Sequence, residues 1–309
     1  MSTAATVPET YGLEGDDAVE TLRSTGRSRL FVRTLGRFRA ADGFSHARAL
    51  AFQFTLTALP ALIAAVGLAT VLDQGGLRKT LEQTLLGIAP GPSGQILSQA
   101  FQQGRGVGPG SGTSALVIGL VAAVISGTSA MAVMERGANR IYGLNEDRPT
   151  PRRYARAFVL ATTAGVLLFL SFVLLVAGSV IAKAARTGAG WSDGLVTAWN
   201  WARWPVGVLL VVAAVALLFR LSPARRQPAA SWLAAGSVVA VALWSGFTAL
   251  LALYLSASAG FGQTYGPLAG VIGILLWAYL SSIALLIGVA FAAQLEAARA
   301  EGRSASSLA

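Results

Sequence analysis

In the run ISGTSAMAVMERGANRIYG, Ile125 to Gly143, an apolar helical pattern passes without a break into Glu135, Arg136, Asn139 and Arg140. A carboxylate, an amide and two guanidiniums at this spacing could form a charged gate, with Glu135 paired to a basic residue of the N-terminal arm. They could equally be the wet end of a helix, where the dipole and anionic headgroups both favour cations. Ala130, Val133, Met134, Gly137, Ala138 and Ile141 share one face, Glu135, Asn139 and Tyr142 lie opposite, and Arg136 and Arg140 flank them. Gly143 then supplies a helix stop. The periodicity therefore favours a topological anchor, with the gate as the alternative.

Elsewhere the chain offers little for catalysis. It has one histidine, His46, no cysteine, and 14 acidic residues scattered mostly through termini and loops. Disulfides and thiolate chemistry are excluded, and no converging set of His, Asp and Glu suggests a metal. No phosphate-binding G-x-x-x-x-G-K-[ST] loop, G-x-S-x-G elbow or H-E-x-x-H helix occurs. No catalytic, metal-ligating or cofactor-binding residue is assigned, and His46 reads as a solvated or capping residue.

The remaining chemistry is uncharged polarity inside apolar runs. Gln53, Thr55 and Thr57 precede Pro60; Ser126, Thr128 and Ser129 cluster later; Tyr254, Tyr279, Ser281 and Ser282 follow. Single hydroxyls usually bond their own helix or a neighbour. Gln53 is more demanding, because an amide facing lipid would lose the hydrogen bonds of water. Gln53, Thr57, Pro60, Ser126, Thr128, Ser129, Glu135, Asn139, Tyr265 and Tyr279 are the candidate lining of a substrate pathway or gate, interhelical bonding being the plainer role.

The elements that must carry these groups follow from composition. Of 309 residues, 54% are hydrophobic and 12% charged, with a mean hydropathy of +0.61. A soluble domain carries about twice that charge. Six runs lack Asp, Glu, Lys, Arg and His: Leu50–Leu72, Ser114–Met134, Ala157–Ala182, Pro205–Phe219, Trp232–Leu255 and Pro267–Phe291. Segments of about 20 apolar residues cross a hydrocarbon core of about 30 Å. The expectation is an all-α polytopic membrane protein with six transmembrane helices. No removable signal peptide is expected ahead of the first run, which serves as its own insertion signal.

Basic residues divide 18 to 6 between alternate connections, which places both termini in the cytoplasm by the positive-inside rule. The net charge of +10 is then read as topology and contact with anionic lipid headgroups, not as nucleic-acid binding. Trp191, Trp199, Trp201 and Trp204 fall at the outer connection between the third and fourth spans, as an interfacial belt would. In RSRLFVRTLGRF, Arg29, Arg33 and Arg37 recur opposite Phe31, Leu35 and Phe38, the pattern of a basic interfacial helix. Arg29, Arg33, Arg37, Arg136 and Arg140 are the candidate headgroup contacts.

The first outer connection holds two short amphipathic patterns, LRKTLEQTLLGIA and GQILSQAFQQ, before the linker Gly104–Ser114. Gly262, Gly266 and Gly270 are spaced for close helix packing, with a glycine-broken cavity lining as the alternative. Residues 1–26 and 297–309 are expected to be disordered tails around a transmembrane domain at 27–296.

Three stretches, RALAFQFTLTALPAL, GTSAMAVMERGANRIYGL and TYGPLAGVIGILLWAYLSSIALLIGVAFAAQLE, together resemble the YihY/BrkB family of bacterial inner-membrane proteins, once labelled ribonuclease BN-like. Ala51, Phe52, Thr57 and Pro60 match a first-span pattern; Tyr265, Gly266, Gly270, Leu275, Trp277, Tyr279 and Ser281 match a last-span pattern. The resemblance implies an envelope-integrity protein of the cell membrane with proposed roles in transporting or exporting a small or lipid-like substrate. A non-transporting membrane scaffold for envelope integrity is the alternative, and a homo-oligomer is an assembly open to either. Family members often end the last span in a G-A-E-L-N-A-like sequence, whereas this chain has Ala290 and Ala292 where the glutamate and asparagine would fall; Gln294 and Glu296 lie a turn later. The ribonuclease label finds no support in the residues, since phosphodiester hydrolysis needs a metal site or an acid/base pair.

Overall fold

The computed structural model describes residues 3–9, 15–71, 111–228, 230–257 and 268–306, and these are helices and their connections, with no strand among them. Two short helices, α1 (Gly15–Thr25) and α2 (Arg27–Ala40), precede six long ones: α3 (Gly43–Val71), α4 (Ser111–Tyr142), α5 (Thr150–Ala189), α6 (Asp193–Leu221), α7 (Ala230–Ala257) and α8 (Leu268–Ser306). Each of α3 to α8 is long and apolar enough to cross a membrane. Their outward faces carry large apolar side chains in the open, among them Phe52, Ile118, Phe158, Leu209 and Leu253, the inverse of a soluble surface.

The last helix is the axis of the bundle. In its apolar window 61% of residues are buried, against 17–28% in the other five spans. It packs on α7, α3, α2 and α4, while α3 pairs with α4 and α5 with α6. Without a hydrophobic drive between helices in lipid, close packing depends on small residues. Gly67 and Gly119 let α3 and α4 approach until a Cβ on either would lie 2.4–2.5 Å from the other's backbone. Gly236 and Gly288 do the same for α7 and α8, where each Cβ would lie 2.6 Å from the facing helix. Of the expected glycine stripe, Gly262 and Gly266 lie outside the described residues.

Several expected boundaries shift. The third span begins at Thr150, not Ala157, and α5 runs 40 residues, about 60 Å at 1.5 Å per residue. The fourth begins at Asp193, with Pro205 inside α6 rather than at its start. Only Gly190 to Ser192 separate the two: Gly190 closes α5 at φ +68°, and the Ser192 hydroxyl caps α6 by accepting from Leu195 N at 3.4 Å. Trp199, Trp201 and Trp204 therefore sit on a helix, not in a connection. Trp199 Nε1 donates to Gly178 O at 2.7 Å and Ser171 Oγ to Gly207 O at 2.9 Å, fastening the hairpin, while Trp201 and Trp204 face outward.

The two tails also differ from expectation. Residues 15–25 form α1, residues 3–9 lie packed with Ala4 and Val7 buried, and α8 continues as helix to Ser306. Arg33 of α2 meets Glu301 of α8 at 3.0 Å in the open. Both termini thus lie at one end of the bundle. The two amphipathic patterns of the first outer connection lie outside the described residues.

Candidate functional site at the terminal end of the bundle

The charged end of α4 is the floor of a buried polar network. Residues 3–9 cross it as an extended strap: Ala4 N donates to Arg140 O and Val7 N to Tyr142 O, both at 3.1 Å, and Thr6 Oγ1 donates to Gly143 O at 3.2 Å. Gly143 ends α4 at φ +82°, and a side chain there would run into the Thr6 backbone. The residue expected as a helix stop is therefore also the seat of the strap.

Two arginines lock this layer to the rest. Arg225, in the connection 222–228, forms an ion pair with Glu296 of α8 in which both side chains are only 1% exposed. It also donates to Val7 O at 3.1 Å and Pro8 O at 3.3 Å, and its guanidinium lies 4.9 Å from the Tyr142 ring centre. Arg37 of α2 donates to Gln294 Oε1 at 3.0 Å, Ala5 O at 2.8 Å and Ile141 O at 3.0 Å. Burial pushes the Arg37 guanidinium below its ordinary pKa while Tyr142, Glu301 and Glu296 pull it back up. It remains a cation, as arginine does in proteins.

The side of the network facing α5 contains Glu135, Asn139, Arg140 and Arg148. Glu135, 3% exposed, pairs with Arg148 at 3.1 Å. Arg148 also donates to Ser222 O at 3.0 Å and Pro223 O at 2.6 Å. Asn139 gives its amide N–H to Asp147 at 2.8 Å and accepts from Ala224 N at 2.7 Å. Arg140 donates to Leu144 O and pairs with Asp147 at 3.5 Å. A buried unpaired charge would cost several kcal/mol, and each of these is paired or hydrogen-bonded.

Three expectations change here. Glu135 does pair with a basic residue, but with Arg148 of the α4–α5 connection and not with the N-terminal arm. Arg37 and Arg140 direct donors to partners inside the protein, whereas Arg29 and Arg33 are exposed and Arg136 half-buried. On α2 the buried face is Leu30, Thr34 and Phe38, and Phe31 is instead 44% exposed. The reason is that α2 packs on α8, so protein contacts select its inner face.

The polar groups along the spans stay apart from this network. Thr57 donates to Gln53 O at 2.8 Å, Ser126 to Ala122 O at 2.8 Å, Thr128 to Val124 O at 2.7 Å and Ser129 to Ile125 O at 3.4 Å, each one turn back on its own helix. Gln53 and Pro60 are half-buried on α3, and Tyr279 packs against the core. Tyr265 lies outside the described residues. His46 is half-buried and rests against Gly137. Ala290 and Ala292 are buried on α8, and Gln294 and Glu296 are taken up by Arg37 and Arg225. Among the described residues no group of His, Asp and Glu could hold a metal ion.

Thr6, Asp147, Arg148 and Arg225 were not singled out in the sequence. Their partners lie as far as 218 positions away, and no local pattern marks them.

A family model described as virulence factor BrkB matches residues 34–308. The chain is 26% identical over 269 residues to the ribonuclease-like protein YfkH of Bacillus subtilis (strain 168), covering 84% of this chain and 92% of that protein. It is 28% identical over 276 residues to the UPF0761 membrane protein azo3165 of Azoarcus sp. (strain BH72), covering 87% of this chain but only 64% of that protein's length. No solved structure matches.

Proposed function

The chain belongs to the virulence factor BrkB family, and we propose that it is a multi-pass protein of the bacterial cytoplasmic membrane, both termini cytoplasmic, that transports or exports an amphipathic, lipid-like envelope component. The observation that carries this reading is the separation of charge in the fold. The buried ion pairs are gathered at the terminal end, while among the described residues the spans between their ends present mostly hydroxyls, amides and aromatic rings, the exception being Arg203 of α6, whose side chain lies against Gly178 of α5 towards the hairpin end. A path with little fixed charge suits a substrate that is itself largely apolar, whereas ion-coupled carriers place ionisable side chains, carboxylates above all, within the spans. The terminal network would act as a clasp over such a path.

Proteoliposomes holding the pure full-length chain test this. Fluorescent phospholipid or lipid-linked sugar analogues should exchange leaflets faster than in protein-free vesicles; no acceleration for any of them would sink the reading. A scaffold that organises envelope machinery is the second reading, and the hydroxyls of α3 and α4 closing on their own helices favour it. Co-purification of a fixed partner with no lipid movement would select it. Ribonuclease action, which the name of the Bacillus relative suggests for that protein, has less support here, since Glu135 and Glu296 are each committed to an arginine.

A further inference from the structure

Around Glu135, positive charge exceeds negative. Arg148 closes on the carboxylate, and Arg153 and Arg156, in the first two turns of α5, lie within Coulombic reach of the same group. Arg148 is occupied by Ser222 O and Pro223 O. The other two are not. Arg153 Nε is buried without a hydrogen-bond partner, and neither Arg153 nor Arg156 forms an ion pair among the described residues. Arg152 stands exposed beside them.

Helix stability does not account for this arrangement. The first turn of α5 holds no acidic residue, so guanidiniums crowd the end where the helix dipole is already positive and favours anions. The height of the cluster on the bundle is also informative. Tyr154, 40% exposed, lies under the Arg153 guanidinium at 5.4 Å, and the exposed apolar surface of α5 begins within one further turn at Phe158 and Val159. Arginines just beyond an aromatic rim and an apolar belt stand at the level of the headgroups.

We propose that Arg153 and Arg156, with Arg152 at the rim and the Glu135–Arg148 pair as a fixed back wall, form a binding site for a phosphate group. Paired guanidinium forks match the several oxygens and the charge of phosphate. The phosphate is either that of a lipid headgroup or one presented from solution. Glu135 moderates the site, cancelling part of a field that would otherwise repel the arginines from one another. The site stands whether or not the protein transports anything.

The test uses the full chain in nanodiscs. In phosphatidylcholine discs inorganic phosphate is titrated as the soluble probe; in discs doped with phosphatidic acid, retained lipid is counted by native mass spectrometry. The variant R153Q/R156Q should weaken binding by about tenfold or more, as loss of charged hydrogen bonds does, and the control R23Q/R39Q, which removes as much charge from exposed positions of α1 and α2, should not. E135Q should tighten binding several-fold, a response that a purely topological role would not give. Binding of phosphate in neutral discs points to a soluble source, and retention of anionic lipid alone points to a headgroup; either supports the site. Equal binding by R153Q/R156Q and R23Q/R39Q overturns it. Should the double variant fail to fold, R156Q alone, altering one exposed side chain, decides: unchanged binding of both probes overturns the proposal.

Discussion

At the scale of single residues, the Arg225–Glu296 pair shows how a charge is kept inside this protein. Its two ions are almost completely buried, and the cost of desolvating them is met by their mutual attraction, two strap carbonyls and the Tyr142 ring face. Such a pair need not add net stability, but removing one member strands the other and typically costs about 3–5 kcal/mol. Glu296→Ala should therefore lower the thermal midpoint of the detergent-solubilised protein strongly. Arg225→Lys should fall between, because an ammonium keeps the charge but cannot fork between a carboxylate and two carbonyls. An unchanged midpoint for Glu296→Ala would contradict the assignment of this pair as the lock. Glu135, Asn139 and Arg140 were legible as chemistry because charge follows directly on an apolar run. Arg225 was not, since its role depends on segments that meet only after folding. Arg37 misled for the same reason: on a helical wheel it belongs with Arg29 and Arg33, but the neighbouring α8 draws it inward.

At the scale of elements, the helices separate what hydropathy reveals from what packing decides. Six spans are visible as charge-free runs because lipid imposes length and apolarity on each helix independently. Their ends are less visible, since a helix continues past its charge-free run wherever protein supports it; α5 and α6 do so for more than a turn, with Trp199 of the extended part of α6 bonded back to α5. Contact partners are less visible still, because lipid-facing and helix-facing apolar residues look alike in sequence. Glycine is the residue that tells them apart here. Gly288→Ala places a methyl 2.6 Å from Ala240 Cβ and against Gly236 O, and overpacking of this kind costs about 1–3 kcal/mol. Gly246 has nothing within 4 Å of the same added atom, and Gly246→Ala should be neutral or stabilising by up to about 1 kcal/mol through helix propensity. The two variants differ by one methyl each on neighbouring helices. A lowered thermal midpoint is expected for Gly288→Ala and an unchanged or raised one for Gly246→Ala, and an unchanged midpoint for Gly288→Ala would show that α7 and α8 do not meet through this glycine pair.

At the scale of the whole molecule, six spans and a strap that crosses the end of α4, tied through Arg225 to Glu296 of α8, put both ends of the described chain at one end of the bundle, and the remaining question is which side of the membrane that is. The charge distribution supplies a prediction. Exposed arginines of α2 and of the α5 start lie at the terminal end, while the hairpin tip between α5 and α6 holds the exposed Arg186–Asp193 pair. Arginine-rich connections are retained in the cytoplasm during insertion, so the terminal end should be cytoplasmic. The chain has no cysteine, which makes single-cysteine labelling free of background. Gly194→Cys, exposed near the hairpin tip, should react in intact cells with a membrane-impermeant maleimide; Ser28→Cys, exposed on α2, should react only after the cells are opened. The reverse pattern would invert the molecule and move the charge network, the strap and the arginines of α5 to the outer face. They would then meet a different leaflet, and a clasp closing a path from the cytoplasm would have to be abandoned for one closing it from outside.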